Sequence, residues 1–217
     1  MPIAARVALS FAFRFGCYAV MLWMALWAEA RPAASLPDAV LGFVPYVGWV
    51  DRYNYLLWVA AYVPASLWLL KKNAERFVRY MVSAGLVALL RGLCIVATGL
   101  GPVHGADLNA GLSPEARTEA FWRIVNPLSF FAPGGSAQVY LTKDLFFSGH
   151  TATTFLLLLY VWRYPGLRAL VLFGHVAVVM SLFFSHLHYT IDVIGAYAIT
   201  FALFTAREGN VRQLLAG

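Results

Sequence analysis

The chain has 217 residues, of which 61% are hydrophobic and only 12% charged, about half the charged share of a typical soluble domain. No single globular core can hide that much apolar surface, so lipid is the expected solvent and a water-soluble fold is excluded. The net charge of +6 comes from basic residues scattered along the flanks of apolar runs, with no basic stripe interleaved with aromatics, which argues against a nucleic-acid partner.

The expected fold is all-α: one polytopic membrane domain over residues 1–217, with no internal repeat. Six apolar runs, near 6–27, 53–70, 77–100, 146–162, 167–185 and 189–206, are long enough, or nearly so, to cross a hydrocarbon core of about 30 Å. The first ends in Ala28-Glu29-Ala30, which mimics a signal-peptidase site; it is read as a retained span. Residues 28–52 then collect Pro32, Pro37, Gly42, Pro45 and Gly48 with Phe43, Tyr46 and Trp49, the composition of an interfacial loop or re-entrant piece. Within 101–145, Ser113-Pro114-Glu115 supplies an N-cap hydroxyl, a proline at the first helical position and an acid in the first turn. The helix that follows is expected to reach about Val125 and lie on the outer surface, its apolar side made by Phe121, Trp122, Ile124 and Val125. Asn126-Pro127 stops it, and Pro133-Gly134-Gly135 turns the chain toward the fourth run. Cys17 and Cys94 sit inside apolar runs, against a disulfide framework or a cysteine metal site.

Basic residues orient the bundle. Lys71, Lys72, Arg76 and Arg79 lie between the second and third runs, Arg163 and Arg168 between the fourth and fifth, and Arg207 and Arg212 after the sixth. The opposite loops carry a mixture of both signs. The positive-inside rule therefore puts both termini in the cytoplasm and the 101–145 connection outside.

Two runs carry polar heads on that outer side. His188 and Asp192 are four residues apart and share a helix face, so the carboxylate can hold Nδ1–H and leave Nε2 bare as base or nucleophile. The alternative is a satisfied pair that joins helices. Ser148-Gly149-His150-Thr151 opens the fourth run: Ser148 as N-cap, Gly149 allowing close backbone approach, and first-turn N–H groups aimed at an anion. His150 there could give a proton to a leaving oxygen; otherwise the stretch is an ordinary polar helix entrance. Arg91, inside the third run, is either a phosphate clamp or the charge partner of an acid. His186 either lines the site or sits among headgroups, Tyr189 adjoins the motif, and His175 reads as a bundle histidine satisfied by a neighbour. No third and fourth ligand accompany the histidine–carboxylate cluster, so neither metal nor other cofactor is expected.

Ser148-Gly149-His150-Thr151 followed by His188-Tyr189-Thr190-Ile191-Asp192-Val193 resembles the sphingomyelin synthase branch of the type 2 phosphatidic acid phosphatase superfamily. Residues 89–103, with Arg91 and the Pro102-Val103 ending, and 118–135, with Arg123 and the glycine pair, resemble further segments of that family. The chain departs from the superfamily's phosphatases: Leu182 stands where they carry an arginine, Phe147 precedes Ser148 where they have proline, and no lysine–arginine–proline motif is present. The resemblance implies His150, His188 and Asp192 as catalytic triad, with Ser148, Gly149, Thr151 and Arg91 around the phosphate. It implies transfer of a phosphocholine or phosphoethanolamine headgroup between membrane lipids through a phosphohistidine, in a compact form expected in a bacterial inner membrane. A lipid phosphatase or phospholipase C-like hydrolase would use the same residues with water as acceptor. A lipid transporter or assembly subunit with a polar cavity is the non-enzymatic alternative. Composition and motifs are silent on oligomeric state.

Overall fold

A computed structural model of the chain describes residues 1–126 and 141–209. Pro133-Gly134-Gly135 lies outside the described residues. Seven helices appear within them and no strand: α1 (Ile3–Glu29), α2 (Gly48–Lys72), α3 (Ala74–Thr98), α4 (Pro114–Val125), α5 (Gly149–Val161), α6 (Pro165–Phe184) and α7 (Thr190–Glu208). Each apolar run is a helix, and the short helix in the long connection starts where its cap chemistry expects. Ser113 Oγ accepts the Ala116 N–H at 3.2 Å with Pro114 at the first position.

Four of the described helices, α1, α3, α6 and α7, are long and apolar enough to cross a membrane. The other two runs fall short for different reasons. α2 has the length, but its charge-free stretch between Arg52 and Lys71 is diluted by Tyr53, Asn54, Tyr55, Tyr62, Pro64 and Ser66. α5 is strongly apolar but only 13 residues long, about 20 Å at helical rise. Its run loses its first residues to the extended segment before Ser148.

α5 is the axis of the bundle. It packs on α6, α7, α3 and α2, and Leu156, Leu157, Tyr160 and Val161 are fully buried. α1 packs along α3, and α2 along α6. In lipid, packing contacts rather than expulsion of apolar surface hold helices together, so small residues at crossings matter. Gly92 is one: a Cβ there would come within 2.8 Å of Met24 Sδ and 3.1 Å of Met21 Cα, so any side chain would push α1 off α3. α4 lies against the end of α1, with Ala120 buried on Leu22 and Leu26, while Trp122 is exposed.

The C-terminal ends of α1, α3 and α6 and the N-terminal ends of α2, α5 and α7 meet at one end of the bundle, roofed by the irregular residues 30–47 and 99–113. Ser35 Oγ donates to Pro102 O at 2.7 Å and Gly101 N–H to Ala34 O at 2.9 Å. Glu29, fully buried, receives Asn109 Nδ2 at 2.8 Å, Thr142 Oγ1 at 3.0 Å and the Lys143 N–H. Lys143 Nζ in turn pairs with Asp107 at 2.6 Å. The acid inside Ala28-Glu29-Ala30 thus ties α1 to the loop before α5.

Candidate active site

The site is built where α5 and α7 begin. Ser148 caps α5, its Oγ accepting the Thr151 N–H at 3.3 Å and the Thr151 hydroxyl at 3.1 Å. Its own N–H donates to Asp192 O at 3.1 Å, which joins the two helix starts. Of the first turn, this leaves the N–H groups of Gly149 and His150 without an acceptor among the described residues. They stand at the positive end of the helix dipole, an arrangement suited to an anion. Ser148 and Thr151 are buried and serve the cap.

Asp192 is fully buried and closes three contacts. Oδ2 lies 3.1 Å from His188 Nδ1 and accepts the Tyr189 N–H at 3.0 Å; Oδ1 accepts the Phe146 N–H at 3.1 Å. A carboxylate has no proton to give, so Nδ1 carries it and Nε2 of His188 keeps a lone pair. His188 is itself buried, and its ring centroid lies 6.4 Å from that of His150. His150 is half-buried, leans edge-on against Trp58 at 5.4 Å, and its ring makes no hydrogen bond among the described residues. Both imidazoles line one cavity of about 780 Å³, within the range of ligand sites. The gap suits a tetrahedral group held between a nucleophilic nitrogen and a proton donor.

Arg91 makes an ion pair with Asp144 at 2.8 Å and donates to Phe147 O at 2.7 Å and Asp144 O at 2.6 Å. It therefore clamps the segment leading into α5 onto α3, and it also lines the cavity. Gly149 lies against this guanidinium: a Cβ there would sit 3.1 Å from Arg91 Nε.

The remaining expected residues scatter. His186 lines the cavity mouth, Nε2 2.9 Å from Val44 O. Tyr189 is buried in the roof, its hydroxyl accepting from the Leu36 N–H at 2.9 Å and reaching Gly101 O at 3.1 Å, outside the cavity lining. His175 sits between Thr154 Oγ1 and the Tyr197 hydroxyl, each at 2.7 Å, away from the site. No cluster of three or more histidine, cysteine or acidic residues able to hold a metal occurs among the described residues.

Three contributors escape sequence reasoning. Trp58 orients His150 and donates Nε1–H to Thr153 Oγ1 at 2.9 Å, and nothing in its apolar run marks it. Asp144 could have been suspected as the acid nearest Ser148 that an arginine in a span would need. Asp38 receives the Thr190 N–H at 2.6 Å and its hydroxyl at 3.0 Å, latching the roof to α7. Burial alone would raise this carboxyl, but the N–H groups of Thr190, Leu41 and Val40 outweigh it and hold it below the usual carboxylate range.

Apolar spanning helices gathered around a cavity lined by two histidines, one of them backed by the buried Asp192, define a helical integral membrane protein with a polar site at one end of its bundle. Residues 143–208, which contain all three of those side chains, match the PAP2 superfamily C-terminal family. The chain is also similar to ceramide phosphotransferases. It is 27% identical over 183 residues to a phosphatidylcholine:ceramide cholinephosphotransferase 1 of Caenorhabditis elegans, covering 79% of this chain and 39% of the relative. It is 28% identical over 179 residues to the human phosphatidylcholine:ceramide cholinephosphotransferase 2, covering 76% and 47%. The phosphatidylethanolamine:ceramide ethanolaminephosphotransferase of Trypanosoma brucei brucei is 28% identical over 163 residues, covering 67% and 47%. The chain thus spans less than half the length of these relatives.

Proposed function

We propose that the protein is a membrane phosphotransferase that moves a phospho-headgroup from a glycerophospholipid to ceramide or a similar lipid alcohol. The observation that carries this reading is the pair of imidazoles facing one cavity, one oriented by a buried carboxylate and the other packed on Trp58 with no ring hydrogen bond among the described residues. In this reading α2 and α5 span the bilayer with α1, α3, α6 and α7, both ends of the chain face the cytoplasm, and the cavity opens toward the outer leaflet.

The reaction has two steps. His188 Nε2 attacks phosphorus, the bond from phosphorus to the diacylglycerol oxygen breaks, and protonated His150 gives that oxygen its proton. The headgroup phosphate is then bonded to His188, whose Nδ1–H and positive charge are held by Asp192. His150, now neutral, removes the proton from the acceptor hydroxyl; its oxygen attacks phosphorus, the phosphorus–nitrogen bond breaks, and His188 regains its lone pair. The Gly149 and His150 N–H groups and the Arg91 charge stabilise the anionic phosphate oxygens. Diacylglycerol and the new phospholipid balance the donor and the alcohol.

The test is incubation of purified protein with labelled phosphatidylcholine or phosphatidylethanolamine, with and without ceramide or diacylglycerol, and identification of products by mass spectrometry. An acceptor-dependent labelled phospholipid is expected. Release of free phosphocholine or phosphoethanolamine without acceptor would instead assign a hydrolase, and no product at all would leave a lipid-binding protein.

A further inference from the structure

The cavity wall contains a second cation that the proposed reaction does not use. Arg14, in the middle of α1, is half-buried and lines the cavity wall. Its guanidinium lies over the rings of Tyr62 and Tyr80, at 5.2 and 5.9 Å, with the two phenol hydroxyls as neutral polar neighbours and a weak contact to Met81 Sδ at 3.9 Å. Among the described residues no carboxylate is within ion-pair distance of it. Aromatic faces and neutral phenol hydroxyls attract the cation but carry no charge that neutralises it. An ionisable residue placed this way inside a span marks a polar partner in the cavity it faces.

The depth of Arg14 says what that partner is. Arg91 Nη1 touches Met21 Sδ at 3.3 Å, and Arg14 lies two turns of α1 below Met21, about 10 Å. Ring contacts of 5.4, 5.1 and 5.2 Å run from His150 through Trp58 and Tyr62 to Arg14, so it lies within about 16 Å of His150. In a glycerophospholipid with phosphorus between the histidines, the carbonyl oxygen of the second chain is six bonds away. That is roughly 7 Å extended, and a hydrogen bond of about 3 Å brings the reach to about 10 Å, inside the upper bound of about 16 Å set by the ring contacts. An N-acylated sphingoid lipid places its amide oxygen at the same count of bonds. Beyond Arg14 the lining turns apolar again, with Phe11, Phe15, Leu67 and Phe77, as a hydrocarbon chain requires.

We infer that Arg14 donates to the chain-root carbonyl, ester or amide, of the lipid held in the cavity. The inference rests on the reading that the lipid headgroup lies between His150 and His188. It makes Arg14 a positioning residue that reads how the chain is attached.

Binding to His188→Ala protein, which cannot turn substrate over, is measured by displacement of a fluorescent-chain phosphatidylcholine. The competitors are diester and diether phosphatidylcholine of equal chain length, and ceramide and its analogue with an ether in place of the amide. The protein with Arg14 intact should bind a carbonyl-bearing lipid at least about tenfold tighter than its ether analogue. Arg14→Met, which has no donor, should bind both equally, at the ether value, and Arg14→Lys should keep part of the preference. Preference in the phosphatidylcholine pair alone assigns Arg14 to the donor, in the ceramide pair alone to the acceptor. Equal binding of ester and ether with Arg14 intact overturns the inference without any substitution at Arg14, and a preference that persists in Arg14→Met overturns it as well. A linkage preference in a protein that forms no transfer product would sustain Arg14 while refuting the phosphotransferase reading. Failure of every lipid to compete would refute both.

Discussion

The two ends of the bundle spend their polar groups differently. At the end away from the site, Tyr160 donates to Glu208 at 2.5 Å and lies 2.8 Å from Ser83 Oγ. Arg79 closes on the same Glu208, and Arg76 Nε reaches Tyr160 O at 2.5 Å. Every member of that network ends on another, and the surrounding rings of Tyr80 and Phe204 seal it. At the site end, Arg91, Asp144, Asp192 and Asp38 are equally well paired, but they act as supports. What they hold in place, the rings of His150 and His188 and the first N–H groups of α5, faces a cavity. A satisfied network stabilises, and one with directed vacancies does chemistry.

Substitutions should separate the two ends. The largest effect is expected at the two rings that face the cavity. His188→Ala and His150→Ala should each lower product formation by 10²–10⁴-fold or more, with the detergent-extracted protein still monodisperse. Near-normal turnover in either would dissolve the distinction. Asp192→Asn tests a support. An amide can present N–H where an acceptor is required, so the His188 tautomer is lost and activity should fall by orders of magnitude. Its remaining oxygen still serves part of the cap, and the loss of stability should be limited to about 1 kcal/mol. A low melting temperature with turnover retained per folded molecule would make this pair mere glue.

Tyr160→Phe should show the reverse pattern. Removing the hydroxyl leaves Glu208 and Ser83 short of a partner, for about 1–3 kcal/mol, while turnover per folded molecule stays unchanged. A smaller effect is expected at the roof. Because the folded state holds the Asp38 carboxyl below its ordinary value, its latch contributes fully above the ordinary aspartate range. That contribution is lost as pH falls through the lowered value. Melting curves between pH 5 and 3 should therefore show a component in the parent that Asp38→Asn lacks. Orientation can be read without touching activity. In protein whose Cys17 and Cys94 are replaced by alanine, Ala110→Cys should react with an impermeant maleimide from outside the cell and Lys72→Cys should not. The opposite pattern would turn the site toward the cytoplasm.

Much of the architecture was legible before any coordinates. Helix positions follow from apolar runs and cap residues, both short-range signals: Ser113-Pro114 and Ser148 start helices because a hydroxyl can reach an N–H three residues on. The pairing of His188 with Asp192 was readable from their spacing, but not its geometry: His188 precedes the N-cap Tyr189, and Asp192 reaches back to it from the third position of α7 instead of sharing a helix face with it. The tertiary structure alone decided which helices touch. In lipid both faces of a span are apolar, so periodicity does not say which face packs, or against what. Hence the placing of His150 within reach of His188, Arg91 on Asp144, Asp38 on Thr190, and Glu29 beneath the 142–143 segment came only from contacts between residues 38 to 152 positions apart. The same holds for the cavity and the position of Arg14 within it, because an enclosed space belongs to several helices at once and to no stretch of any one.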